Sequence, residues 1–248
     1  MTPTVYAGNW KMHHGPDAAR QFARTFTSLV KADDARELWL FAPAVSLGAL
    51  AEVLRGRPDV RVGAQDVHWE PKGAFTGALS IPLVREVGAS GALVGHSERR
   101  HLFRETDEEA GRKVQALLEA GMTAMLCVGE QLAEREAGET LSVVRRQLDA
   151  GLGALRGADL ARLRIAYEPV WAIGTGKVAT PDDAAAVHAA IRAELAARDG
   201  LAVPILYGGS VNLGNALGLL AREEIDGVLV GGASLDAEKW AELVGIGG

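Results

Sequence analysis

Four side chains in this sequence are of the types that can move a proton beside a carbonyl. They are the carboxylate of Glu168, the imidazole of His96, the ammonium of Lys11 and the amide of Asn9. A carboxylate can take a proton from a carbon next to a carbonyl. An imidazole N–H and an ammonium can then stabilise the oxyanion of the enediolate that forms. The four lie far apart in the chain, so only a fold that gathers them at one rim could use them together.

The surroundings of Glu168 sharpen this reading. In the stretch RIAYEPVWAIGTGK, 164–177, a buried-type strand stops at Glu168 and Pro169 follows. Val170, Trp171, Ala172 and Ile173 then make a loop too apolar for open solvent, and Gly174, Thr175 and Gly176 close it. A lone glutamate at a strand end is ordinarily a solvated or paired charge. An apolar loop beside it points elsewhere, because such a loop has a reason to exist only if it covers something. Ile173 and Leu229 are candidates for an apolar clamp that raises the basicity of Glu168. Glycine turns recur at Gly208, Gly209 and Ser210 and at Gly231 and Gly232. Backbone N–H groups approach an anion closely where no Cβ intervenes, so these turns and Gly174 imply a phosphate on the ligand.

Other candidates read more plainly. His96 also suits a helix cap in GHSERR, and Lys11 suits a surface charge, although its place beside Trp10 just past a strand weighs against that. His13, His14, His68, His101 and His188 read as structural or surface residues, and no Cys/His spacing suggests a metal. Cys127 reads as a small core residue. The Gly-Lys of the loop is not a nucleotide P-loop, since Trp171 and Val178 stand where that motif needs glycine and Ser or Thr.

The elements that must position these residues alternate along the chain. Short β-branched runs at 4–9, 37–43, 60–65, 91–95, 123–130, 164–168, 203–209 and 226–232 are each followed by a segment of helical spacing. Helices are expected at 17–30 with Asp17 as cap, and at 46–54, 82–87, 106–120, 141–155, 212–221 and 237–243. Another opens on Thr180 as cap with Pro181 at its first position. Eight strand–helix units with no linker between them predict an α/β fold, a single-domain (β/α)8 barrel over residues 1–248. The rival, an open doubly wound sheet, wants a glycine-rich turn after its first strand, and GNWKM is not one. In a barrel the carboxyl ends of the strands carry the chemistry, and Asn9, His96 and Glu168 stand there with Lys11 two residues on.

Composition excludes other classes. A net charge of −6 argues against nucleic acid and against an anionic membrane surface. No apolar run approaches the roughly 20 residues of a membrane span. A single cysteine forbids an internal disulfide and suits a reducing cytoplasm.

On GNWKM at 8–12, VGHSERR at 94–100, AYEPVWAIGTGK at 166–177, YGGSV at 207–211 and DGVLVGGASL at 226–235, the chain resembles the triosephosphate isomerases over its whole length. The resemblance implies interconversion of dihydroxyacetone phosphate and glyceraldehyde 3-phosphate, in glycolysis and gluconeogenesis, by a cytoplasmic homodimer with no cofactor and no metal. It implies Glu168 as the base, His96 as a neutral electrophile, and Lys11 and Asn9 at the substrate. Gly174, Ser210, Gly231 and Gly232 would hold the phosphate. The neutrality of His96 comes with the resemblance and not from the spacing. Pro169 to Trp171 and Lys177 to Ala179 would be the hinges of a lid. The loop 66–79, which opens on Asp66 and closes on Leu79, is long for a structureless connection. By resemblance it reaches a partner subunit with Ala74, Phe75 and Thr76 at its tip. Ala78 departs from the glutamate frequent in the family, which removes an acid that pairs with Arg99, and His13 departs from an asparagine. A different phosphate-binding barrel would keep the glycine turns but not this lid or this set of four. A silent homologue would be expected to lose Glu168, His96 or Lys11.

Overall fold

The computed structural model describes residues 3–173, 179–200 and 202–246. Eight parallel strands close in sequence order into a barrel. They are β1 (Thr4–Asn9), β2 (Arg36–Ala42), β3 (Val60–Ala64), β4 (Gly91–Val94), β5 (Thr123–Val128), β6 (Leu163–Tyr167), β7 (Ile205–Tyr207) and β8 (Gly227–Val230). Closure runs through β1 and β8, with Val5 opposite Gly227 and Gly8 opposite Val230. The α-helices among the described residues are α1 (Pro16–Leu29), α2 (Leu47–Val53), α3 (Ile81–Glu86), α4 (Ser97–Leu102), α5 (Asp107–Glu119), α6 (Leu132–Glu136), α7 (Thr140–Leu152), α8 (Pro181–Ala196), α9 (Ala216–Leu220) and α10 (Ala237–Val244).

The period of two along each strand separates two cores. Alternate residues such as Tyr6, Leu40, Leu126 and Ile165 face outward and join the helices in one large cluster. The others, among them Val5, Trp39, Phe41, Met125, Cys127 and Leu229, fill the barrel interior. Trp39 and Phe41 stack there at 5.4 Å between ring centroids. They fit because β3 carries a glycine beside them: a Cβ on Gly63 would lie 2.3 Å from the Phe41 ring.

The expected elements are present, with shifted ends. Thr180 and Asp183 form the capping box of α8 behind Pro181. Asp17 is not the cap of α1. Gly15 takes that place and Pro16, its φ already fixed for a first turn, starts the helix with Asp17 inside it. The helix expected at 212–221 shortens to α9, because Asn212 and Asn215 form a side-chain turn: Asn212 Oδ1 accepts from Gly214 N, and Asn215 Oδ1 from Asn212 N, each at 2.8 Å. α4 is the helix that a cap at His96 would start, and α6, of five residues, was not expected.

Candidate active site

Glu168 stands one residue beyond β6, at the carboxyl rim of the barrel. Its N–H donates to the Val128 carbonyl at 2.8 Å, which continues the strand ladder by one rung. The side chain is buried. Its Oε1 lies 3.0 Å from His96 Nε2, and its Oε2 accepts from the Ser97 N–H at 2.8 Å. Gly208 gives it room, since a Cβ there would come within 2.9 Å of Glu168 Cγ. The same Cβ would lie 3.7 Å from that of Leu229, so one proposed clamp residue and Glu168 both border Gly208. The expectation of a raised pKa needs correction for this arrangement. Burial does push the carboxyl up, but His96 and the Ser97 amide favour the charged form by more and hold it below the ordinary carboxylate range.

His96 fills both roles the sequence allowed. It is the N-cap of α4, where its Nδ1 accepts from the Glu98 N–H at 3.3 Å. An acceptor Nδ1 leaves the proton on Nε2, the nitrogen that faces Glu168. Burial lowers the pKa of this imidazole, the carboxylates of Glu168 and Glu98 raise it by more, and the net direction is up. The Glu98 amide opposes protonation, because an imidazolium would set N–H against N–H.

Lys11 and Asn9 are delivered by β1 and the turn after it. Lys11 has φ 49, a left-handed conformation that a non-glycine residue adopts at a cost and that recurs at functional sites. Its N–H donates to Asn9 Oδ1 at 3.0 Å, and its ammonium meets Glu98 Oε1 at 2.6 Å. Gln65, just past β3, donates to the Lys11 carbonyl at 2.8 Å and to the Phe41 carbonyl at 3.1 Å. Asn9, Lys11, His96, Glu98 and Gln65 line one cavity of about 860 Å³ that runs outward along the loop 66–79 to Trp69 and Phe103.

The glycine turn after β8 approaches Lys11. A Cβ on Gly231 would sit 3.5 Å from Lys11 Cε, so this backbone faces the ammonium. Gly232 opens a short 3-10 helix, Gly232–Ser234, onto free space. Ser210 is half-buried after β7, its carbonyl accepting from Asn215 Nδ2 at 2.8 Å. Gly174, Thr175, Gly176, Lys177 and Val178 lie outside the described residues. The first hinge is described. Trp171 donates from Nε1 to Glu130 Oε1 at 2.8 Å, and Tyr167 donates its hydroxyl to the same carboxylate. Arg135 lies over the Trp171 ring at 4.4 Å and pairs with Asp183 at 3.0 Å.

A carboxylate on an imidazole, an ammonium in the lining of a cavity and a glycine turn beside that ammonium are groups chemically suited to enolising a small phosphorylated carbonyl compound. A family model described as Triosephosphate isomerase matches residues 4–246. The chain belongs to the triosephosphate isomerase family. It is 47% identical over 248 residues to the triosephosphate isomerase of Solibacter usitatus (strain Ellin6076), across 98% of this chain and 99% of that one. It is 48% identical to that of Synechococcus sp. (strain JA-3-3Ab), across 98% and 95%, and 46% identical to that of Aquifex aeolicus (strain VF5), across 97% and 98%.

Against the triosephosphate isomerase resemblance read from sequence, three contacts are new. Glu98 is the partner of Lys11. Gln65 and Glu130 stand outside the set of four that the sequence singled out. The signal for Glu130 was a charge in an otherwise apolar strand end, the same signal that singled out Glu168. Arg99, expected to miss an acid, meets two within its own chain: Asp66 at 3.0 Å and Glu105 at 2.9 Å. Among the described residues no group of three His, Cys, Asp or Glu could hold a metal, and no helix is long and apolar enough to cross a membrane.

Proposed function

We propose that the protein interconverts dihydroxyacetone phosphate and D-glyceraldehyde 3-phosphate through an enediolate, with Glu168, His96, Lys11 and Asn9 as the working set. The contact between Glu168 and His96 Nε2 carries the reading. Glu168 leaves its two bonds to Ser97 and His96, takes a proton from one substrate carbon and returns it to the neighbouring carbon. His96 donates from Nε2 to the carbonyl oxygen as negative charge develops there. Once Glu168 turns to substrate, its pull on the imidazole weakens, and the Glu98 amide at Nδ1 keeps the ring neutral. Lys11 has two ammonium hydrogens beyond the one given to Glu98, and these serve the substrate oxygens. Asn9 fixes the turn that presents Lys11.

Backbone groups at Gly174, Gly231 and Gly232, with Ser210, hold the phosphate, and Ile173 closes over Glu168 so that water is excluded and phosphate is not lost from the enediolate. Residues 1–248 act as one barrel domain without cofactor. The protein works in the cytoplasm as a homodimer through the loop 66–79. Phe75 supports this, 45% exposed at the loop tip and braced by the His68 ring at 4.2 Å. Met12, Leu102 and Phe103 are exposed apolar residues, and Met12 and Phe103 line the cavity next to that loop.

Coupling glyceraldehyde 3-phosphate isomerisation to NADH-consuming reduction of dihydroxyacetone phosphate tests the reaction. Folded wild-type protein without turnover would refute it. Sedimentation equilibrium tests the assembly, with a monomer at micromolar concentration as the contrary result.

A further inference from the structure

The residue before His96 is gripped by charge on both of its backbone groups. Gly95 has φ 65 and follows the last residue of β4. Its N–H donates to Glu105 Oε1 at 3.0 Å, and its carbonyl accepts from Arg100 Nε at 2.7 Å. Side chains from elsewhere therefore hold the backbone where the strand has ended. Arg100 also donates its own N–H to the His96 carbonyl at 3.0 Å, so one residue holds two consecutive carbonyls at this corner.

The rest of the guanidinium is anchored just as firmly. One Nη donates to the Cys127 carbonyl in β5 at 3.2 Å. The other pairs with Asp107 at the start of α5, and Asp107 pairs in turn with Arg146 of α7. The Arg100 side chain is 7% exposed, so these bonds replace water and do not compete with it. The fit is close: a Cβ on Gly95 would lie 2.7 Å from a guanidinium nitrogen. The bonds of the His96 ring to Glu98 and Glu168 set how the imidazole turns. How far the ring stands from the substrate oxygen is set by the backbone at 95 and 96.

We propose that Arg100 is a positioning residue for His96. Through the Gly95 carbonyl it ties the corner between β4 and α4 to the end of β5, and so fixes the height of the electrophilic imidazole above the barrel rim. Lysine would keep the charge but not the planar fork that reaches Gly95, Cys127 and Asp107 together. The inference rests on the isomerase reading above.

A double-mutant cycle tests it, with Arg100→Lys, His96→Gln and the pair assayed for kcat and KM. Arg100→Lys is expected to lower kcat by roughly 10- to 100-fold, the scale set by a misplaced catalytic group. KM should change by less than about twofold, since the phosphate contacts are untouched. In the His96→Gln background the same change should cost less than about twofold, because there is no longer an imidazole to misplace. Nitrogen-15 spectra should show the His96 ring signals shifted by Arg100→Lys and those of His188 unmoved. Asp107→Asn touches neither Gly95 nor His96 and should give the same pattern at smaller size. It decides the matter by the same criteria if Arg100→Lys does not fold. An active wild type in which Arg100→Lys costs as much with His96 replaced as with it present would overturn the role of Arg100 and leave the isomerase standing. A rise in KM at unchanged kcat would do the same. A folded but inactive wild type would overturn both.

Discussion

Two buried carboxylates sit at opposite ends of the barrel, and β6 serves both. Arg164, near the start of that strand, grips Glu37 with two nitrogens at 2.9 and 3.2 Å, and Trp39 Nε1 adds a bond at 2.6 Å. Glu168, just past the end of the same strand, has an imidazole and one amide. In both, burial pushes the carboxyl pKa up, and the partners pull it down by more. The direction of the shift therefore does not separate a structural acid from the one proposed as the base. What separates them is the partner. A guanidinium is a permanent cation and stays charged beside Glu37 at every accessible pH. An imidazole and an amide can release Glu168 to a substrate that offers a better contact. Fixed charge makes the amino-terminal end of the barrel a closure, and exchangeable donors at the carboxyl end suit the site proposed there.

The largest test of this contrast is a matched pair of substitutions. Glu168→Gln should lower kcat by on the order of 10³-fold or more, the range expected when a general base is lost, and should cost less stability than Glu37→Gln. Glu37→Gln should leave kcat within about twofold. It should cost roughly 3 kcal/mol of stability, since it leaves Arg164 buried without its counter-charge. Urea unfolding and the coupled assay on both variants read the two effects. Turnover surviving in Glu168→Gln would break the comparison by removing the base.

A third buried group shows what happens without a counter-charge. His188 has no exposed surface, and its Nδ1 lies 3.2 Å from the Glu224 carbonyl. Burial lowers its pKa to about 4, against the smaller opposing effect of that carbonyl. The unfolded chain then binds the proton that the folded chain refuses, so stability is full above about pH 6.5 and falls as pH drops toward 4. The loss is on the order of 3 kcal/mol. The carboxylates act at lower pH. The folded pKa values of Glu37 and Glu168 are depressed, so their contribution is present above the unfolded value near 4.3 and is lost as pH falls through the folded values. Urea midpoints between pH 7 and 4 should show a slope that His188→Gln removes and Glu37→Gln does not. A slope unchanged by His188→Gln would show that another group titrates there.

The smallest expected effect concerns Cys127, inside the barrel. Burial, with the nearby Glu168 charge, pushes its thiol well above the ordinary range. A disulfide reagent should label almost no thiol in native protein and one per chain in guanidinium. Rapid native labelling would show that the barrel mouth opens further than the contacts of Glu168 suggest.

The sequence by itself determined the eight strand–helix units, because alternation of period two against helical spacing is a local signal. It determined Glu168 by a local conflict, a charge set between a buried strand and an apolar loop. It reached the turns proposed to hold phosphate through glycine, the one residue type whose missing Cβ is itself a signal. It determined the cap and first turn of α8 from Thr180 and Pro181, neighbours in the chain. Only the tertiary structure decided who meets whom. Lys11 pairs with Glu98 across 87 residues, Gln65 holds the Lys11 turn across 54, and Arg164 meets Glu37 across 127. Barrel closure brings such pairs together, and no spacing along the chain encodes them. The direction of the Glu168 shift was decided there too. A carboxyl buried among apolar groups rises, and one buried beside His96 and the Ser97 amide falls, so the outcome waits on which neighbours the fold supplies.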